Sequence, residues 1–415
     1  MVPSIILTLI AIAFLLIVIE DTIHLNKAKS TLFFGTLCWI ILFIFPTHGQ
    51  SPDMMKDLLN ENILEIASLW LFLMAAMTFV AYLNSKGFIE NIVHRVMPKR
   101  ISERKLMFLV GGFAFLFSSI SDNVTATLIS LAIIIALKLE PKKLIKYATL
   151  IVFGVNSGGV SLITGDVTTL MIFLDGKVTI AHLLLLIGPA FASVMLLAAL
   201  LSIGMKNNVE FVSVDKKPIA KTDITIAIIF LSTVISTLTL SVIYSIPPLL
   251  TFLFGLSVMF LVAQFLMRKK DINKDIIDYV RDIEYDTLLF FVGVLLLVGA
   301  LKEIGMLSKF TDLYAVMAPE YANYLMGILS AGVDNVPLTA ALLKADIVMS
   351  QQHWLSFTYA TGVGGSMLII GSAAGIIAMS KVKELTFMSY LRLSLHLLIC
   401  YTAGYAGSYY MGSFI

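Results

Sequence analysis

Ten stretches of this sequence are apolar over roughly the 20 residues a helix needs to cross a bilayer, and such a density of runs leaves a membrane as the only solvent the chain can fold in. They fall near 2–20, 31–46, 63–84, 144–173, 180–205, 222–243, 248–267, 286–304, 354–380 and 385–412. Lipid offers backbone groups no partner, so each run is expected to be helical and the fold class an all-α polytopic membrane protein. Composition agrees. Charged residues make up 13% and apolar ones 59%, with a mean hydropathy of +0.94, whereas a soluble domain carries about 25% charge.

Four further apolar pieces are shorter. Residues 105–120 and 125–138 flank Ser121-Asp122-Asn123-Val124, and 322–332 and 338–350 flank Val333-Asp334-Asn335-Val336-Pro337. Pieces of that length around a polar centre predict two re-entrant hairpins, over about 105–138 and 322–350, whose non-helical tips survive only in protein or against water. The runs at 144–173 and 354–380 contain Gly-Gly pairs and read as broken helices.

Lys and Arg set the orientation. With Met1 outside, 23 of the 29 basic residues fall in inside loops, Lys56, Lys177, Lys302, Lys309 and Lys344 are the outside ones, and Arg392 lies in a span. The first hairpin then opens inside and the second outside. Residues 1–19 lack a basic start and a cleavage site, so they read as the first span rather than as a removed signal. The 29 basic against 27 acidic residues are too balanced for a nucleic-acid binder. Cys38 and Cys400 sit inside apolar runs and suggest neither a disulfide nor a metal site.

The halves repeat. Ser118-Ser119-Ile120-Ser121-Asp122-Asn123-Val124 resembles Ser330-Ala331-Gly332-Val333-Asp334-Asn335-Val336, and Asn156-Ser157-Gly158-Gly159 through Gly165-Asp166 lines up with Gly362-Val363-Gly364-Gly365 through Gly371-Ser372. Equivalent segments enter from opposite sides in the charge-based topology, so the repeat is expected to be inverted. Gly-interrupted spans in matching positions of inverted repeats point to a secondary transporter with its site near the midplane. The expected organisation is N-terminal spans over 1–62, a first repeat core over 63–205, an inside linker over 206–221 and a second repeat over 222–415.

An ionised Asp at the bilayer centre costs about 2.5–3.5 kcal/mol, so such a residue is expected to be paired, protonated or cation-bound. Asp122, Asp334 and Asp166 sit in or beside the breaks. Broken helices add carbonyls with partial negative charge. Asn123, Thr125, Asn335 and Thr339 supply hairpin-tip oxygens, while Asn156, Ser157, Ser161, Thr164, Ser366 and Ser372 line the helix breaks. Together they form a hard-oxygen set suited to an alkali cation rather than a soft metal. His396 and Arg392 lie one turn apart in the last run and are expected to pack, and Glu65 to be interfacial.

The motifs Asp122-Asn123-Val124-Thr125, Gly158-Gly159 with Gly165-Asp166-Val167-Thr168-Thr169, Asp334-Asn335-Val336-Pro337-Leu338-Thr339, and Gly364-Gly365-Ser366 with Gly371-Ser372 resemble the NhaD-type sodium/proton antiporters, relatives of the arsenite permeases. The resemblance implies two inverted repeats, a homodimer and elevator-like movement of the hairpin region. It also implies exchange of Na⁺ or Li⁺ for H⁺ across the bacterial inner membrane, with no bound cofactor beyond the transported ions. Thr78 to Asn84 departs from the pattern by holding no acid. An arsenite or other oxyanion permease is the alternative, and three midspan aspartates speak against it. An intramembrane aspartyl protease would also use two membrane aspartates, but the Tyr-Asp and Gly-x-Gly-Asp pair of that family is absent, and the chain is not expected to be an enzyme.

Overall fold

A computed structural model describes residues 2–18, 25–46, 51–87, 100–137, 139–210, 220–244, 246–267, 277–332, 335–345 and 347–415. Two compact units divide the chain: Met1–Ile63 with Ser102–Val209 and Leu289–Ile415, and Leu64–Ile101 with Glu210–Leu288.

In the first unit, ten helices build the core. The first half supplies α1 (Glu103–Ile120), α2 (Asn123–Ala136), α3 (Pro141–Gly159), α4 (Val167–Leu174) and α5 (Ile187–Leu201). The second half supplies α6 (Pro319–Ser330), α7 (Asn335–Lys344), α8 (Gln351–Gly364), α9 (Ala373–Lys381) and α10 (Ser394–Gly412). The order helix, break, helix, long helix, break, short helix thus occurs twice. Helix α1 packs on α3, and α6 on α8. Then the halves cross over: α2 lies on α9, and α7 on α4. The polar centre of each helix pair is thereby carried into the region where the other half has its broken helix.

Small residues allow these approaches, as lipid-embedded helices require. A Cβ at Gly158 would collide with the Phe115 carbonyl oxygen, and one at Gly364 with that of Gly327, so the aligned glycines perform the same task in both halves. The chain leaves α3 after Gly159 and resumes helix at Val167, while in the second half two short 3₁₀ turns, Gly365–Met367 and Ile369–Gly371, fill the equivalent break.

The stretch expected as the first hairpin holds α1 and α2, with a break narrower than the polar centre read from sequence: Ser121 and Asp122 lie in it, while Asn123 and Val124 are already helical. The second narrows in the same way. Helix α7 begins at Asn335, so Asn335, Val336 and Pro337 are helical rather than part of the break. Pro337 lies in the first turn, where a missing N–H leaves no intrahelical bond unmade. The run at 385–412 is also split, into Phe387–Leu391 and α10.

Five helices among the described residues are individually long and apolar enough to span a membrane: Lys27–Ile44, Pro52–Leu83, Ile180–Leu201, Pro248–Phe265 and Tyr285–Glu303. Lys27–Ile44 docks through Gly35 on Gly293, and Trp39 Nε1 donates to the Leu296 carbonyl at 3.0 Å. Apolar side chains such as Leu15, Phe33 and Ile40 stay exposed, as lipid-facing residues do.

Within the second unit, Lys221–Tyr244 and Pro248–Met267 pair as antiparallel neighbours. Phe79 stacks on Phe230 at 5.1 Å and Phe72 meets Phe252 at 4.5 Å. Buried Asp223 is satisfied by the Tyr82 hydroxyl at 2.8 Å and the Ala220 N–H at 3.0 Å.

Candidate functional site

Asp166 is the meeting point. It is the N-cap of α4, its Oδ1 accepting from the Thr168 N–H at 3.0 Å, and only 5% of it is exposed. Its other oxygen faces both helix pairs. Asn123 Nδ2 donates to Oδ2 at 3.2 Å, and Asn335 Nδ2 donates to the same atom at 3.5 Å. A carboxylate only accepts, so each asparagine must turn its amide nitrogen inward. Ser118 Oγ fixes that orientation for Asn123 by donating to Oδ1 at 2.8 Å.

The floor of the site is backbone. A Cβ at Gly159 would stand 2.8 Å from Asn123 Oδ1 and 3.1 Å from Asp166 Cβ, so any larger residue would fill the cradle. Ser119 Oγ donates to the Gly158 carbonyl at 3.0 Å and Thr164 Oγ1 to the Ser119 carbonyl at 3.0 Å, tying the first pair to the first break. Across the halves, Asn156 Nδ2 donates to Ser372 Oγ at 2.9 Å, and Ser372 also caps α9 by accepting from the Gly375 N–H. Ser372 therefore caps where Asp166 does, without a charge. Ser366 Oγ turns back to the Val363 carbonyl, while its own carbonyl accepts from the Tyr390 hydroxyl.

Asp122 is placed differently from Asp166. It is half-buried and caps α2 by accepting from the Thr125 N–H at 2.8 Å. Asp334 lies outside the described residues. Asn123, Asn335 and Asp166 come together, whereas Thr125 contributes its backbone to the Asp122 cap.

Several oxygens here are buried without a hydrogen bond: Asn156 Oδ1, Ser157 Oγ, Ser161 Oγ, Thr168 Oγ1, Thr169 Oγ1 and Thr339 Oγ1. Buried polar atoms ordinarily find partners, so such a set fits a cargo that needs oxygen ligands. Thr168 and Thr169 belong to a motif read from sequence but were not among the expected ligands, although a polar pair opening an otherwise apolar helix was the available signal. No group of three or more His, Cys, Asp or Glu side chains fit to hold a metal occurs among the described residues.

A profile of the CitMHS family, described as citrate transporter, matches residues 2–364. The chain belongs to that family. Two relatives are each named Na(+)/H(+) antiporter NhaD. The protein from Alkalimonas amylolytica is 30% identical over 96% of this chain and 89% of its own length. The one from Vibrio cholerae is 30% identical over 93% and 87%. Among solved structures, the YdaH transporter of Alcanivorax borkumensis superposes with a TM-score of 0.54 at 12% identity, covering 94% of this chain and 98% of that one, and shares the fold. As a member of a family of carriers the chain is a transporter, not an enzyme, and its apolar helices make it a multi-pass membrane protein.

Proposed function

We propose that the protein exchanges Na⁺, and also Li⁺, for H⁺ across the bacterial inner membrane, with cation and proton competing for buried aspartate. The observation that carries this reading is the Asp166 carboxylate held by one amide from each helix pair. A midspan carboxylate must be compensated before it crosses a low-dielectric barrier, and either a proton or an alkali cation can do so. Asp122, Asp334, Thr339 and the oxygens of the breaks complete the proposed ligand set. The NhaD names of the relatives support the same exchange. A central carboxylate disfavours an oxyanion cargo by simple repulsion.

The test is dissipation of a pH gradient in everted vesicles. Na⁺ and Li⁺ are expected to collapse it, whereas arsenite is expected to leave it standing. Collapse by arsenite and by neither cation would replace this reading with the oxyanion one.

The proposed topology has the N-terminus outside, inverted repeats, helix pairs that re-enter from opposite sides and a homodimeric assembly. Its charge argument yields a separate expectation. Lys142 and Gln351 are both exposed, at the starts of α3 and α8. Cysteines at these two positions are expected to react with impermeant reagents from inside and outside respectively, and labelling of both from one side would overturn the inverted arrangement.

A further inference from the structure

Each helix pair is fastened at its open end to the long helix that follows it. In the first half the fastening is ionic and multiple. Glu103, the first residue of α1 and 3% exposed, accepts from Lys143 Nζ at 2.8 Å and from the Asn207 N–H at 3.3 Å, while the Tyr147 hydroxyl donates to its carbonyl at 2.7 Å. The hydrogen bond to Glu103 holds the Lys143 ammonium above its usual range, so the lysine of this clamp stays charged.

The second half uses a different cation. Glu320, in the first turn of α6, faces His353 Nε2 across 3.4 Å, and His353 occupies the position on α8 that aligns with Tyr147 on α3. His353 Nε2 is buried and makes no hydrogen bond. Ser350 Oγ stands 2.7 Å from Nδ1 and accepts the His353 N–H. A proton added to the ring thus creates a charge opposite Glu320. The other groups facing this pair are phenols and one paired amine. Tyr405 donates to the Glu320 carbonyl, the Tyr409 ring lies 5.7 Å from the imidazole, and Tyr314 reaches it through Asn323, whose Nδ2 donates to the His353 carbonyl at 2.9 Å. Lys177 sits 5.4 Å from the neighbouring Trp354 ring and is paired with Asp175 at 3.3 Å.

We propose that Glu320 and His353 form a proton-operated latch on the second helix pair: the protonated ring clamps α6 to α8 and slows ion loading at that end, while the Glu103 clamp stays shut. The effect on loading rests on the proposed antiport; closure of the latch does not. A proton on the ring closes the latch and its loss opens it, so the latch tightens as pH falls and loosens as pH rises.

Two readouts test it. With saturating Na⁺ and the opposite side buffered, the maximal exchange rate is expected to be at least about threefold lower at about pH 5.5 than at about pH 8 on the side where α6 begins. His353→Gln and Glu320→Gln are each expected to abolish that ratio, and His353→Lys to hold the low rate at both pH values. Competition between Na⁺ and H⁺ is suppressed at saturation, which separates the two effects. Hydrogen exchange of the Tyr321 to Leu325 amides, corrected for intrinsic rate, is expected to show extra protection at the lower pH in the wild type and not in His353→Gln. This second readout needs no transport, so pH-dependent protection in a protein that moves no Na⁺ would sink the antiport reading and leave the latch. Equal pH ratios and equal protection in wild type and both neutral variants would overturn the latch.

Discussion

Asp166→Asn is expected to lower Na⁺-driven proton exchange at least about thirtyfold, the low end of the roughly 2–5 kcal/mol lost when one partner of a buried charged contact is removed. Asn keeps the size and one oxygen, which can still accept from the Thr168 N–H, while its NH₂ replaces the oxygen that met the Asn123 and Asn335 amides, so insertion and purification of the variant are checked beside its transport. What it removes is the charge that both ions must neutralise. The same competition gives the wild type a signed pH dependence: protonation removes the cation ligand, so Na⁺ affinity weakens as pH falls, by up to about tenfold per unit for one competing proton. Transport in everted vesicles measures the first effect and calorimetric titration in detergent the second. A wild-type Kd that stays constant from about pH 6 to about pH 9 while transport remains coupled would defeat the competition. Asp122→Asn supplies the contrast, because Asn caps a helix as well as Asp does. A fall of about tenfold or more would place the Asp122 carboxylate in the ion path alongside its capping role, and undiminished exchange would leave it with the cap alone.

The second large effect concerns stability. Gly158→Ala is expected to destabilise the protein by more than about 3 kcal/mol, beyond the usual overpacking cost, because the new methyl group meets the Phe115 carbonyl and backbone cannot step aside as a side chain can. Gly364→Ala should behave alike through Gly327. Gly188 is the control: nothing stands within 4 Å of a Cβ there, and its change to Ala should leave the thermal midpoint unchanged or slightly raised. Equal midpoints for all three variants in detergent would show that α1 and α3 do not need their close approach.

The helical membrane architecture was legible because lipid forces it. Breaks at Asp122 and after Gly159 were legible too, since polar or glycine residues interrupt apolar runs there. The second break was drawn from sequence through Pro337, yet α7 already begins at Asn335, because a proline in a first turn disrupts no intrahelical bond. Duplication drew attention to Asp122 and Asp334, whereas the structure gathers both asparagines around Asp166. Asn335 reaches Asp166 over a separation of 169 residues. No local periodicity encodes a contact of that range; only the crossover of α7 onto α4 creates it.

The carboxylate at the centre comes from one half of the chain and an amide that holds it from the other. Neither half could therefore assemble this site by itself. An ancestral half-length carrier with the same chemistry would have had to meet a second copy of itself, and gene fusion would then have freed one copy to lose its acid. Ser372 at the position of Asp166 is what such a loss would leave behind.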